Sequence, residues 1–423
     1  MQHKTLDEWL QWQMDLHDKA IDLGLDRVSQ VAAKLGIERI AGQVITVAGT
    51  NGKGSTVAAY ETWLNNAGFR VASYTSPHLL RYNERIRINR EAVDNASLCG
   101  AFEVVEQARG DVALTYFEYG TLAALYLIQL WQPDYALLEV GLGGRLDAVN
   151  IIDADMVHLT PIGIDHQNWL GDTREKIGRE KAGVLREGIP VVVNDQDPPR
   201  SMMAEIERLG CDSVCAGRDF QLQHVGDVWT WHANGLEIHF TPELPGRHQV
   251  DNFAGVLAGL LHLSLLESYS PETVANHFHG TCLAGRFQHM PGILPADLYI
   301  DVGHNQDAAS ALATNLADLK AAGRVVVLLG MLDDKRVDLF VEKLAPVIDD
   351  CWLLSLPGDR GLGVTQLEER IGTRIRIDKR FEHAHDAYTH ALSSLHNQDI
   401  MLVCGSFVTV ENWLRALPDQ AAQ

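Results

Sequence analysis

An apolar run, Val44-Ile-Thr-Val-Ala48, passes without interruption into Gly49-Thr-Asn-Gly-Lys-Gly-Ser55, and a helical pattern follows from Gly54 to Asn66. Strand, glycine-rich loop and helix in that order leave few folds open. Glycines let the backbone curl until successive N–H groups face one anion. The start of the helix adds a positive partial charge, and Lys53 adds a full one. The segment therefore predicts a phosphate cradle. It departs from the common G-x-x-x-x-G-K-[ST] spacing, because Gly54 separates Lys53 from the hydroxyl of Ser55. A turn rich in glycine for steric reasons alone is the plain alternative, but strand, lysine and helix arrive together and favour nucleotide binding. Gly141-Leu-Gly-Gly-Arg145 is no dinucleotide fingerprint, since Leu146 stands where the third glycine belongs.

Apolar runs of strand length alternate with helical patterns along the rest of the chain, which predicts an α/β fold of mostly parallel sheets covered by helices. Gln43 to Ala48, Arg70 to Tyr74, Asp134 to Val140, Asp155 to Leu159 and Ile189 to Val193 read as strands of one doubly wound sheet, with helical patterns such as Tyr119 to Trp131 and Thr173 to Arg186 between them. Phe220 to Phe240 alternates instead and reads as a small antiparallel element. After helical patterns over Asp251 to Leu266 and Pro271 to His279, the alternation restarts with Leu298 to Val302, Arg324 to Leu329, Cys351 to Leu356 and Asp399 to Cys404. The expected organisation is a P-loop domain over 1–284 and a smaller Rossmann-like α/β domain over 285–423.

Lys plus Arg is 35 and Asp plus Glu is 56, a formal charge of −21. That balance disfavours nucleic acid and anionic membranes as partners, because both need a basic surface. The apolar stretches Thr121 to Trp131 and Gly255 to Leu266 are shorter than the roughly 20 residues that cross a bilayer. Charges near the amino terminus stand where a secretory signal needs apolar residues, so the expected location is the cytoplasm. Six cysteines are too sparse for a disulfide framework, and the pair Cys211 and Cys215 has no second pair nearby to complete a zinc site.

The motifs taken together resemble the folylpolyglutamate synthase and dihydrofolate synthase family, relatives of the Mur ligases. The resemblance rests on the Gly49–Ser55 loop, Ser76-Pro-His-Leu79, Phe117-Glu-Tyr-Gly-Thr121, Leu138-Glu-Val-Gly-Leu-Gly-Gly-Arg-Leu-Asp-Ala148, Ile164-Asp-His166, Gly178-Arg-Glu-Lys-Ala-Gly183, Gly285-Arg-Phe-Gln288 and Asp301-Val-Gly-His-Asn305. It implies ATP-dependent joining of L-glutamate to dihydropteroate and to folates such as tetrahydrofolate and its derivatives. A carboxylate is a poor electrophile, so the γ-phosphoryl group is first transferred to it, and positioning and charge stabilisation carry the catalysis.

Carried over position by position, the resemblance implies that Thr50, Asn51, Gly52 and Lys53 hold the ATP phosphates, with Gly54 and Ser55 completing the loop. It implies Mg²⁺, as one or two ions, on Ser76, Glu139 and His166, and it admits a monovalent cation such as K⁺. Glu139 read unaided is an acidic residue at the carboxyl edge of a sheet, or else a cap or surface charge. Lys181 stands in Arg174-Glu-Lys-Ile-Gly-Arg-Glu-Lys-Ala-Gly183, which unaided reads as a solvated face; the resemblance instead makes it a carbamylated, N6-carboxylysine residue. Asn252, Arg286 and Asp301 match nucleotide-contacting positions, the latter two across a domain interface, and His304 is assigned a catalytic role without a defined step. Gly303 and Gln306 replace the family's usual alanine and proline.

On the pterin side, Asp22 and Leu23 match a segment that closes over dihydropteroate, although Ala20 replaces the threonine that often precedes it. Thr115, Tyr116, Phe117 and Glu118, with Leu146, Asp147 and Ala148, match the remaining wall. A flat pterin needs apolar faces and a few hydrogen-bonding groups, and this set supplies both. Three alternatives stand beside the bifunctional ligase: a folylpolyglutamate synthase alone, a Mur ligase, disfavoured by only 48 residues before Gly49, and a P-loop nucleotide switch. The expected protein is a monomer whose site lies in an interdomain cleft.

Overall fold

The computed structural model describes residues 4–17, 21–225, 228–319 and 321–418. Ala20, one of the departures noted above, lies outside the described residues. The chain divides into two compact units. The first comprises Met1–Gly163, Gln167–Pro242 and Val250–Thr281; the second comprises Ile164–His166, Glu243–Gln249 and Cys282–Gln423.

The first unit is built on strands β1 (Gln43–Ala48), β2 (Val71–Tyr74), β3 (Ile86–Ile88), β4 (Glu91–Ala92), β5 (Tyr135–Glu139), β6 (Met156–Leu159), β7 (Pro190–Val193) and β8 (Asp212–Cys215). They form one sheet in the order β4-β3-β2-β5-β1-β6-β7-β8. The run from β2 to β8 is parallel, and β3 and β4 add an antiparallel edge. Strands β1, β5 and β6 are almost continuously buried and rich in aliphatic residues, as strands covered on both faces must be. Because β1 lies between β5 and β6 while the next strand in sequence, β2, lies beyond β5, the carboxyl end of β1 opens at the crossover where ligands of such sheets sit.

The helix Lys53–Asn66 buries every residue from Ser55 to Leu64, including the full side chain of Trp63. A helix enclosed all round shows no amphipathic stripe. The helix Tyr116–Trp131 begins three positions before its expected start, because Thr115 and Glu118 close a capping box: the Thr115 N–H donates to Glu118 Oε2 at 2.8 Å and the Glu118 N–H to Thr115 Oγ1 at 3.2 Å. The expected antiparallel element is a three-stranded sheet of β9 (Gln221–Val225), β10 (Val228–Ala233) and β11 (Leu236–Phe240).

The second unit carries β12 (Gln288–His289), β13 (Asp297–Ile300), β14 (Val325–Leu329), β15 (Asp350–Leu354), β16 (Ile377–Phe381) and β17 (Ile400–Cys404), ordered β12-β13-β17-β14-β15-β16. All neighbours but β12 and β13 are parallel. All six cysteines are free thiols. Among the described residues no helix is long and apolar enough to cross a membrane.

Candidate active site

The loop after β1 is shaped by close approach. A Cβ on Gly49 would lie 1.8 Å from Thr160 Oγ1, and one on Gly52 would lie 2.5 Å from Asn252 Oδ1. Gly52 also adopts φ +87°, and no side chain caps the helix it precedes. The first-turn N–H groups of a 14-residue helix therefore start at a backbone with no Cβ in the way. Thr50 is tied down twice, its N–H to Pro161 O at 3.0 Å and its hydroxyl to Gly163 O at 3.1 Å. Lys53 Nζ donates to Thr50 O at 3.2 Å, which folds the ammonium back over the loop. The predicted residues Thr50 to Lys53 are half-buried, Ser55 is buried and Asn252 reaches the loop from the helix Arg247–His262. This cradle suits a polyphosphate.

Lys181 is the clearest reversal of an unaided reading. Far from a solvated face, its side chain is buried at 4% exposure and Nζ donates to Gly49 O at 2.6 Å. Ile177, Gly178, Lys181 and Ala182 form the buried side of the helix Arg174–Ala182, so the charged residues around Lys181 hide a one-sided contact. Glu139 is likewise buried, at the end of β5, and Oε2 accepts the Ser76 N–H at 3.2 Å. A buried carboxylate of this kind suits a hard cation such as Mg²⁺. His166, the third expected ligand, belongs to the second unit and takes φ +52°. Among the described residues no group of three or more His, Cys, Asp or Glu side chains is arranged as a metal site.

The predicted pterin wall is drawn together by a residue outside the expected set. Arg27 Nη1 pairs with Asp22 Oδ2 at 2.7 Å, and Arg27 Nη2 bonds both Asp22 O at 2.7 Å and Glu118 Oε1 at 3.1 Å. Asp22 thereby meets Glu118, although 91 positions separate Arg27 from Glu118. Leu23 is half-buried beside it. Tyr116 and Phe117, which unaided read as core, are only half-buried. Tyr116 packs edge-on to Tyr82 at 5.7 Å, and Phe117 lies over Gly141, where a Cβ would be 2.5 Å from its Cζ. Asp147 is buried; its Oδ2 accepts the Leu142 N–H at 2.7 Å and its Oδ1 the Val149 N–H at 3.0 Å, which fixes Leu146 and Ala148 on either side. Burial pushes its carboxyl up to about 6, against those N–H bonds and the charge of Lys181.

In the second unit, Asp301 is buried and accepts N–H bonds from Phe287 at 2.7 Å and Gly303 at 2.6 Å. Burial raises its pKa, opposed by Arg286, those two N–H groups and His248. Arg286 lies over the Phe407 ring at 5.4 Å. His304 Nδ1 contacts Val302 O at 3.0 Å and Nε2 pairs with Asp165 Oδ2 at 3.2 Å, so it is neither a helix cap nor a core histidine. Asn305 takes the cap instead, accepting the Ala308 N–H at 3.0 Å. Gln306 is the first residue of the helix Gln306–Leu319, where the family's proline would also fit, so this departure leaves the helix start intact. Asp165 and Lys335, neither singled out above, meet at 2.6 Å. Burial pushes the Asp165 carboxyl up, but His304, His166 and Lys335 outweigh it and hold it well below the usual carboxylate range.

Along nearly its whole length the chain is similar to known proteins. Residues 285–407 match the family described as Mur ligase, glutamate ligase domain. The dihydrofolate synthase/folylpolyglutamate synthase of Escherichia coli (strain K12) is 39% identical over 417 residues, covering 97% of this chain and 95% of the relative. A structure of E. coli FolC in complex with DHPP and ADP superposes with a TM-score of 0.91 at 39% identity over 97% of both chains. A crystal structure of a bifunctional folylpolyglutamate synthase/dihydrofolate synthase with Mn, AMPPNP and L-glutamate bound has a TM-score of 0.89 at 39% identity, over 98% of both.

Proposed function

The chain belongs to the dihydrofolate synthase/folylpolyglutamate synthase family, and from that premise we propose that it joins L-glutamate to dihydropteroate, and to folates already bearing glutamate, with ATP converted to ADP and phosphate. The observation that carries the reading is the loop after β1, where Lys53 and an uncapped helix start meet backbone without side chains. Transfer of the γ-phosphoryl group to the substrate carboxylate gives an acyl phosphate. The glutamate amine then attacks its carbonyl carbon, the C–N bond forms, phosphate leaves and the amine loses a proton.

In this reading the first-turn N–H groups, Thr50, Asn51, Gly52, Gly54 and Ser55 seat the phosphates, and Lys53 offsets their charge. Asn252, Arg286 and Asp301 contact the nucleotide. Ser76, Glu139 and His166 would hold magnesium, which would supply positive charge for the transfer. Lys181 as a carbamate would turn a cation into an anion while keeping one N–H for the Gly49 carbonyl. His304, paired with Asp165, has a catalytic role with no step assigned to it. Asp22, Leu23, Thr115, Tyr116, Phe117, Glu118, Leu146, Asp147 and Ala148 form the pterin pocket, and the Asp22–Arg27–Glu118 network favours the bifunctional enzyme over a folylpolyglutamate synthase alone. The protein acts as a cytoplasmic monomer on small molecules.

The test supplies purified protein with MgATP, L-glutamate and either dihydropteroate or tetrahydrofolate, and follows ADP. Release in both mixtures is expected. Release with tetrahydrofolate alone would reduce the enzyme to a folylpolyglutamate synthase, and release in neither would discard the ligase.

A further inference from the structure

We propose that Asn194 and Asp195, consecutive buried residues just after β7, are positioning residues for the nucleotide: each anchors one half of the cradle around Gly52. The proposal rests on reading that cradle as the ATP site.

Asp195 acts on the loop. Thr50 hangs from the carbonyls of Pro161 and Gly163, at 3.0 and 3.1 Å. Ile162 lies between them, and both of its backbone groups are pinned. Its N–H donates to Asp195 Oδ2 at 2.8 Å, and its carbonyl accepts from Arg174 Nε at 2.8 Å. Arg174 Nη2 in turn donates to the same Asp195 oxygen at 2.9 Å, and Asp195 Oδ1 accepts the Asp197 N–H at 2.9 Å. The Ile162 N–H shares its peptide plane with the Pro161 carbonyl, so that plane is held at one end by Thr50 and at the other by Asp195, and Arg174 holds the next plane, which leads to Gly163. The carboxylate accepts three donors, at charge-assisted strength.

Asn194 acts on the opposite half. Its Nδ2 donates to Asp251 O at 2.9 Å, and its own N–H donates to Leu159 O at 2.8 Å, tying the residue before Asn252 to the carboxyl end of β6. Asn252 is the side chain that touches the loop at Gly52. Asn194 and Asp195 are 4% and 6% exposed. Two adjacent side chains at one strand end therefore set the spacing between Thr50 and Asn252, with neither placed to touch a phosphate in the reading above.

The test is calorimetric titration of the full-length protein with ADP in the presence of Mg²⁺, and separately with dihydropteroate. Asp195→Ala is expected to weaken ADP about tenfold, the size of one lost charge-assisted hydrogen bond, and to leave dihydropteroate binding within about twofold. Asp195→Asn keeps an acceptor for Ile162 and is expected to lose about threefold; it carries the test if the alanine variant does not fold. In a Thr50→Val background, which lacks the hydroxyl anchored on Gly163, the loss from Asp195→Asn is expected to shrink. A brace with no positioning role would lower the unfolding temperature without moving ADP affinity. ADP binding within twofold of the parent, or equal losses for ADP and dihydropteroate, would overturn the positioning role alone. A parent protein that does not bind ADP would overturn the ligase reading and the proposal with it.

Discussion

The phosphate cradle after β1 and the wall around Thr115–Glu118 belong to one unit, yet they are made by opposite means. The cradle is backbone: glycines clear the space, a helix start supplies the donors, and the side chains that matter most are Lys53 and the anchored Thr50. The wall is side chain on side chain. Asp22 and Glu118 meet only because one guanidinium holds both, and Phe117 rests on Gly141. A backbone site is most sensitive at its glycines and its lysine, and less so at the side chains that brace it. A side-chain site can lose one partner and be left with an unpaired buried charge.

The largest test of that difference is Lys53→Ala. Its expected effect is a loss of about a thousandfold in turnover with either acceptor, in the upper range for removing one charge-stabilising group, while the unfolding temperature stays near that of the parent. Turnover within tenfold of the parent would mean that the cradle does not handle the transferred phosphate. Next is Gly52→Ala, where a Cβ must adopt φ +87° and enter Asn252. Strain and the clash together come to about 2–3 kcal/mol, read as a rise of roughly fiftyfold in the KM for ATP with the KM for dihydropteroate unchanged. A parallel rise in both would deny that the two regions are separable.

The two regions also differ in how much of them the sequence exposes. The cradle is contiguous, so residue type and spacing alone point to it, and β1 forms over Gln43–Ala48 as its β-branched run predicts. The wall depends on a contact 91 positions long, and nothing local to Arg27 distinguishes it from a surface arginine. Lys181 shows why charge patterning misleads: its helix has arginines and glutamates on the outside, and the single lysine that turns inward is announced only by the small residues Gly178 and Ala182 beside it. Asp165 and Lys335 pair across 170 positions and are silent for the same reason. The antiparallel edge β3–β4 is too short to leave a period.

Arg27→Ala addresses the wall directly. It leaves Glu118, whose side chain is 5% exposed, without its cation, and releases Asp22. The expected result is a rise of about tenfold in the KM for dihydropteroate, a smaller change for tetrahydrofolate, none for ATP, and a loss of stability approaching 3 kcal/mol for an uncompensated buried charge. An unchanged KM for dihydropteroate would remove the Asp22 segment from the pocket.

The smallest effect is a pH dependence carried by Asp147. Its carboxyl is raised by burial from 3.8 to about 6, so the folded state binds a proton more tightly than the unfolded chain does. The stability it contributes is therefore complete below pH 3.8 and is lost as the pH rises through 6. Between about pH 5 and pH 7 the loss comes to roughly 1 kcal/mol. Asp147→Asn cannot titrate. It also replaces one of two backbone acceptors with an amide, and that penalty is constant with pH. Urea unfolding of parent and variant at a series of pH values separates the two contributions: the advantage of the parent should shrink by roughly 1 kcal/mol from about pH 5 to pH 7, whereas a constant difference would show that the N–H bonds from Leu142 and Val149 offset the burial. In that event the wall would keep its carboxylate charged by the same backbone means as the cradle, and the contrast between the two regions would narrow to Arg27.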